Sequence, residues 1–233
     1  MEPVTVWWAE LGAARPALFG LVGLLDPVER ARRERYLRDA DRDRFTLGVA
    51  MTRLAVAGRL GLQPERVPLT RACRDCGEPH GPPVVDGGPH LSVSHSGDRV
   101  AVAVSPHGPL GVDVEEDSGR IGDDIARQLL AGDEPPGGRA GLLTYWTRKE
   151  ALLKATGDGL RVPLRKVRVS APDEPPRLRL WDGRPGLAER IMMRTLDPGP
   201  GYAACLALLD HPEGVRVRER PVAELLRPRA DLP

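Results

Sequence analysis

"HLSVSHSGDRVAVAVS", residues 90–105, followed after a short break by "LGVDVE" at 110–115, carries the pattern that decides the fold. The first stretch alternates with the period of two of a half-buried strand and reverses at Ser96-Gly97-Asp98, which predicts a β-hairpin. The second supplies another short strand of the same period. Upstream, residues 4–9 read as an apolar strand. Asp26-Pro27 followed by Glu29 has the form of an N-cap, a proline at the first helical position and a capping-box acid. The helix opened there carries Arg30, Arg32, Arg33, Arg35 and Arg38. A second helix, from about 41 to 60, has Phe45, Leu47, Val49, Leu54 and Val56 on its apolar stripe and a stop at Gly61. Downstream, helices are predicted over about 121–131 and 140–156, the latter stopping at Gly157 and Gly159, with strands near 166–170, 176–181, 188–195 and 202–209.

The order strand, helix, hairpin in residues 1–107 is echoed by strand, helices, strands in 109–210, without a visible sequence repeat. An α+β chain of two similar-sized halves, 1–108 and 109–233, is therefore expected. With 233 residues and 41% apolar content, the chain is long enough for a real core. A formal net charge of +1 gives no global attraction to nucleic acid or an anionic membrane, so an acidic ligand has to be met by local clusters. No basic leader precedes an apolar stretch, and nothing approaches the ~20 apolar residues of a membrane span, so a cytoplasmic protein is expected. Three cysteines, Cys73, Cys76 and Cys205, are too few for a disulfide framework.

Chemistry concentrates in three motifs. In "GVDVE", Asp113 and Glu115 lie two apart on a strand, so both carboxylates share one face, as suits a hard cation; a solvated acidic edge is the alternative. In "WTRKEALLKATGDGL", residues 146–160, Trp146, Glu150 and Lys154 are spaced along one helical face. The chain has thirty-one arginines but only three lysines, and two of the three, Lys149 and Lys154, fall here. A compact ammonium suits phosphate contact and proton delivery better than a guanidinium fork, although helix-surface charges paired with Glu150 would look the same. Packing of that helix on the "GVDVE" strand would let Asp113, Glu115 and Glu150 share one Mg²⁺. "VSHSGD" places Ser94 and His95 at a strand end, where hydroxyl, imidazole and turn amides can converge on an anion.

In this order and spacing, "SHSG" at 94–97, "GVDVE" at 111–115 and "WTRKEALLKATGDGL" resemble the 4'-phosphopantetheinyl transferases, specifically the long, surfactin-type branch. "DPVERARRERYLRDADRDRF" is similar to that family's basic N-terminal helix. The resemblance implies a pseudo-dimer of two α+β halves with the active site at their interface. It also implies transfer of phosphopantetheine from coenzyme A to a serine of an apo acyl, polyketide or peptidyl carrier protein, with release of 3',5'-ADP. Carried over, Asp113, Glu115 and Glu150 would hold Mg²⁺, with Mn²⁺ as an alternative. Glu150 would help deprotonate the serine, Lys154 would balance charge on the leaving phosphate, and Lys149 would position substrate or the adjoining strand. Ser94 and His95 would contact coenzyme A phosphates. Arg44 and Arg53, with Arg32 as a further candidate, would face the 3'-phosphate or adenine, although most arginines here alternate with acids and also read as salt-bridged surface.

The chain departs from the family at "HGPP", where Pro82 stands in place of a basic ligand contact. "CRDCGEPH" is a Cys-x-x-Cys with His80 four residues on, a zinc-like spacing. Structural zinc takes four protein ligands and no second pair is evident, so a loop with two reduced thiols and no catalytic part is expected. The resemblance further implies a monomer that binds neither nucleic acid nor membrane. Two readings compete with it: a non-catalytic module that binds coenzyme A or a carrier protein, and a Mg²⁺-dependent nucleotide pyrophosphatase with water as acceptor.

Overall fold

A computed structural model describes residues 1–119 and 123–227. Strand β1 (Val4–Glu10) leads directly into helix α1 (Leu11–Leu21), then α2 (Pro27–Glu34) and the long α3 (Asp39–Leu60). The capping box at Asp26 forms as its sequence dictates: the Asp26 side chain accepts from Glu29 N at 2.8 Å and Glu29 accepts from Asp26 N at 2.9 Å. Two short strands, β2 (Leu69–Thr70) and β3 (Val84–Val85), bracket a loop. The hairpin β4 (His90–Ser96) and β5 (Arg99–Ser105) follows, then β6 (Leu110–Glu116). The hairpin turns on Gly97 at φ 53°, a conformation glycine adopts without strain at the first position of a two-residue turn.

Helices α4 (Asp123–Leu129) and α5 (Gly138–Thr156) precede strands β7 (Val167–Val169), β8 (Leu178–Trp181), β9 (Ile191–Thr195), β10 (Tyr202–Leu209) and β11 (Val217–Pro221). The start of the helix expected over 121–131 lies outside the described residues. Helix α1 and strand β11 were not predicted from the sequence. Strand β11, from the end of the chain, pairs in parallel with β1 and belongs to the first sheet.

The mixed α+β architecture has a four-stranded sheet in the order β11-β1-β5-β4 and a three-stranded sheet in the order β6-β10-β9. Helix α3 packs on the first and α5 on the second, each over its own apolar cluster, with a third cluster uniting Val4, Val6, Val112, Val114 and Leu206 between the sheets. Strands β4 and β6 meet without a backbone ladder. The hydroxyls of Ser92, Ser94 and Ser96 accept from the N–H groups of Val112, Val114 and Glu116 at 3.0, 3.3 and 3.1 Å, so side chains satisfy an edge that backbone would otherwise have to cover. Among the described residues, no helix is long and apolar enough to cross a membrane.

Candidate active site

Strands β4 and β6 and helices α3 and α5 enclose a cavity of about 600 Å³. Period-two geometry puts Gly111, Asp113 and Glu115 on the face of β6 that meets α5, and 3.6-residue geometry brings Trp146, Glu150 and Lys154 to the same cavity. Gly111 permits the close approach, since a Cβ there would collide with the Ala151 carbonyl oxygen.

Asp113 is 3% exposed. Its Oδ1 accepts from Lys154 Nζ at 2.6 Å and from Ser94 Oγ at 2.8 Å, while Oδ2 is buried without a partner. Lys154 also donates to Ser94 Oγ and to Val112 O, both at 3.0 Å. Glu115 accepts from Ser96 Oγ at 2.6 Å. Half-buried Glu150 keeps Oε1 without a partner, and burial followed by the nearby Asp113 charge pushes its carboxyl above the usual range. Two buried carboxylate oxygens with nothing to bond line one cavity beside a third carboxylate, donors of the kind a hard cation takes, although the oxygens of all three acids do not converge within 4.8 Å of one another.

Arg32, Arg44 and Arg71 line the same cavity, together with His95. Arg44 reaches Gly97 O at 2.6 Å and pairs with Asp41 at 2.5 Å. His95 is solvent-exposed by surface area, and desolvation first, then the charges of Arg44 and Lys154, lower its imidazole from the ordinary range. Arg71 was missed by sequence reasoning. Burial, and then the neighbouring Arg32, lower it to about 10, and its Nε has no partner. Pro82 lines the same cavity, and Arg71 O accepts from Gly81 N at 2.7 Å, so the arginine sits close to Pro82.

Three of the expected site residues have their polar atoms engaged by the protein itself. Lys149 is fully buried away from the cavity, donating to Leu129 O at 2.7 Å and Glu134 Oε2 at 2.5 Å, and so anchors the end of α4 without reaching a ligand. Arg53 is 1% exposed. It pairs with Asp26 at 2.9 Å and Glu29 at 2.8 Å and donates to Val67 O at 3.0 Å, which locks α2 onto α3. Ser94 lines the cavity, but its hydroxyl already donates to Asp113 and accepts from Lys154 and Val114 N, so it orients the carboxylate and has no valence left for phosphate. The sulfur and imidazole atoms of Cys73, Cys76 and His80 converge within 4.8 Å of one another.

The sequence profile of the 4'-phosphopantetheinyl transferase superfamily matches residues 109–206. A 4'-phosphopantetheinyl transferase of Bacillus subtilis is 28% identical over 210 residues, covering 85% of this chain and 89% of that one. The 4'-phosphopantetheinyl transferase psf-1 of Bacillus pumilus is 32% identical over 76% of both chains. The 4'-phosphopantetheinyl transferase HetI of Nostoc is 29% identical, covering 76% of this chain and 78% of its own.

Proposed function

The chain belongs to the 4'-phosphopantetheinyl transferase superfamily, and from that premise we propose that it transfers phosphopantetheine from coenzyme A to a serine hydroxyl of an apo carrier protein within the cavity between β4, β6, α3 and α5. The observation that carries this reading is the pair of unpartnered buried oxygens, Asp113 Oδ2 and Glu150 Oε1, beside Lys154 in a cavity also lined by arginines. With a cation on these acids, the site would neutralise a pyrophosphate from two sides.

Asp113, Glu115 and Glu150 are the residues that would hold Mg²⁺ or Mn²⁺, which when bound supplies positive charge to the pyrophosphate oxygens. In the transfer, the serine oxygen bonds to the phosphorus that carries pantetheine, and the P–O bond to the 3',5'-ADP oxygen breaks. Glu150 takes the serine proton directly or through a water. Lys154, held by Asp113, Ser94 and Val112 O, balances the charge that gathers on the leaving phosphate. His95 and Arg44 contact coenzyme A phosphates, and Arg71 with Arg32 supplies the cation that Pro82 does not.

The two sheets are read as halves of a pseudo-dimer. In each, a first strand is followed by a packing helix, α3 or α5, and a hairpin whose second strand takes the centre, giving β1-β5-β4 and β6-β10-β9. The site then lies where the halves meet. The test is incubation with coenzyme A, Mg²⁺ and apo carriers of the fatty-acid, polyketide and peptidyl classes, followed by intact-mass measurement. A phosphopantetheine adduct on a carrier serine is expected. Release of 3',5'-ADP without an adduct would favour the hydrolase reading, and coenzyme A binding with neither product would favour the binding module.

A further inference from the structure

The loop between β2 and β3 has no part in the reaction above, yet it gathers three metal-binding groups. The ligand atoms of Cys73, Cys76 and His80 lie within 4.8 Å of one another, with Cys76 Sγ and His80 Nε2 3.0 Å apart, and neither cysteine is in a disulfide. Cys73 N donates to Glu78 O and Gly77 N to Cys73 O, both at 2.9 Å, while Gly77 at φ 75° supplies the left-handed residue that such a knuckle needs. Cysteine ligates metal as the thiolate. Two thiolates and an imidazole select a tetrahedral borderline-soft ion over Mg²⁺.

We propose that Cys73, Cys76 and His80 form a zinc site, with water in the fourth position, that clasps the loop walling the coenzyme A cavity. The expectation of bare thiols rested on the lack of a second cysteine pair. The fold brings the imidazole to the sulfurs, and exposure of Cys76 leaves room for a solvent ligand. The zinc site would set the shape of the cavity because His80, Gly81 and Pro82 line it and Gly81 N is bonded to Arg71 O. Arg32 donates to Pro79 O at 2.9 Å, and Asp75 pairs with Arg161 at 2.6 Å, so the clasp sits between α2 and the segment after α5.

Metal content tests the site independently of the transferase reading. The full-length protein, purified under reducing conditions without chelator, is expected to hold about one zinc per chain, the occupancy of a single specific site. Cys73→Ser/Cys76→Ser is expected to lose it. Replacement by Co²⁺ should give thiolate-to-cobalt charge-transfer absorption and tetrahedral d–d bands that His80→Asn shifts. Zinc retained by the double cysteine variant overturns the proposal, as does absence of both zinc and cobalt bands in the reduced protein, or a Cys73–Cys76 disulfide in protein taken from a reducing extract. The clasp has its own readout: removing zinc should raise the KM for coenzyme A several-fold while kcat stays within about twofold. An unchanged KM refutes the clasp.

Discussion

Replacing Gly111 by alanine isolates the contact on which the proposed chemistry depends. Gly111 lies on β6 where α5 crosses it, and its φ is not in the left-handed region, so the substitution is purely steric. The new Cβ would collide with Ala151 O and would meet Ala155 N at 2.6 Å and Lys154 Cβ at 2.8 Å, against ordinary contact from 3.4 Å. Backbone on both sides leaves no flexible tip to give way, so α5 withdraws from β6 by about 1 Å. Overpacking of this kind costs about 1–3 kcal/mol, which for a chain of this size lowers Tm by roughly 2–12 °C. The same withdrawal moves Glu150 and Lys154 relative to Asp113, and a misplacement of about 1 Å in a reacting constellation costs on the order of 10²-fold in rate. The assay is the initial rate of holo-carrier formation at saturating coenzyme A, beside thermal unfolding by circular dichroism. Gly20→Ala in α1, where an added Cβ meets nothing within 4 Å, serves as control. Wild-type kcat and Tm in Gly111→Ala would show that the helix–strand approach does not set the site.

Lys154→Ala should lower kcat by about 10²-fold with little change in the KM for coenzyme A, as for one electrostatic stabiliser. Lys154→Arg should be similarly poor, because a guanidinium fork cannot meet Ser94, Val112 O and Asp113 from a single point; steady-state kinetics with an apo carrier decides both. Lys149→Met leaves Glu134 charged and buried, so urea unfolding should report a loss of about 3–5 kcal/mol, while the folded enzyme keeps its KM for coenzyme A. Desolvation holds the half-buried His211 below the ordinary imidazole range. The unfolded chain therefore binds more protons below about pH 6.5, and stability present above that pH is lost as pH falls through the window towards the folded value. The urea midpoint should drop between pH 7.5 and 5.5, and by less in His211→Gln; an equal drop in that variant refutes the assignment.

The elements legible in the sequence were those with local signatures. The β4–β5 hairpin announced itself by alternation and Gly97, α2 by its capping box, and α3 and α5 by apolar spacing ended at Gly61 and Gly157. Helix α1 escaped because Pro16 and the glycines of "LGAARPALFGL" read as breakers, although Leu11, Ala14, Leu18 and Leu21 supply a buried stripe. Strand β11, "VRERP", is charged and largely exposed, and only its distant pairing with β1 makes it a strand. The same distinction governs the site. Helical spacing was enough to align Trp146, Glu150 and Lys154, but the roles of Lys149 and Arg53 depend on Glu134, Asp26 and Glu29, which lie on other elements. A charge's identity is written in the sequence; its partner is fixed only by the fold.

The serines of β4 show how one pattern can support two readings. Ser92, Ser94 and Ser96 alternate with Leu91, Val93 and His95, as on a sheet with one solvated face, yet Ser92 and Ser94 are buried. Their polarity is spent on β6. Each of the three hydroxyls accepts one N–H from that strand's unpaired edge, and those of Ser94 and Ser96 donate onward to Asp113 and Glu115. The carboxylates proposed to face the pyrophosphate are thus oriented by hydroxyls from the other sheet, before any ligand arrives. Orientation that precedes binding needs no reorganisation when charge develops, which is the condition under which fixed dipoles and charges stabilise a transition state most. The alternation at 90–96 therefore contributes to the fold by joining two sheets and to the chemistry by aiming two of the three acids.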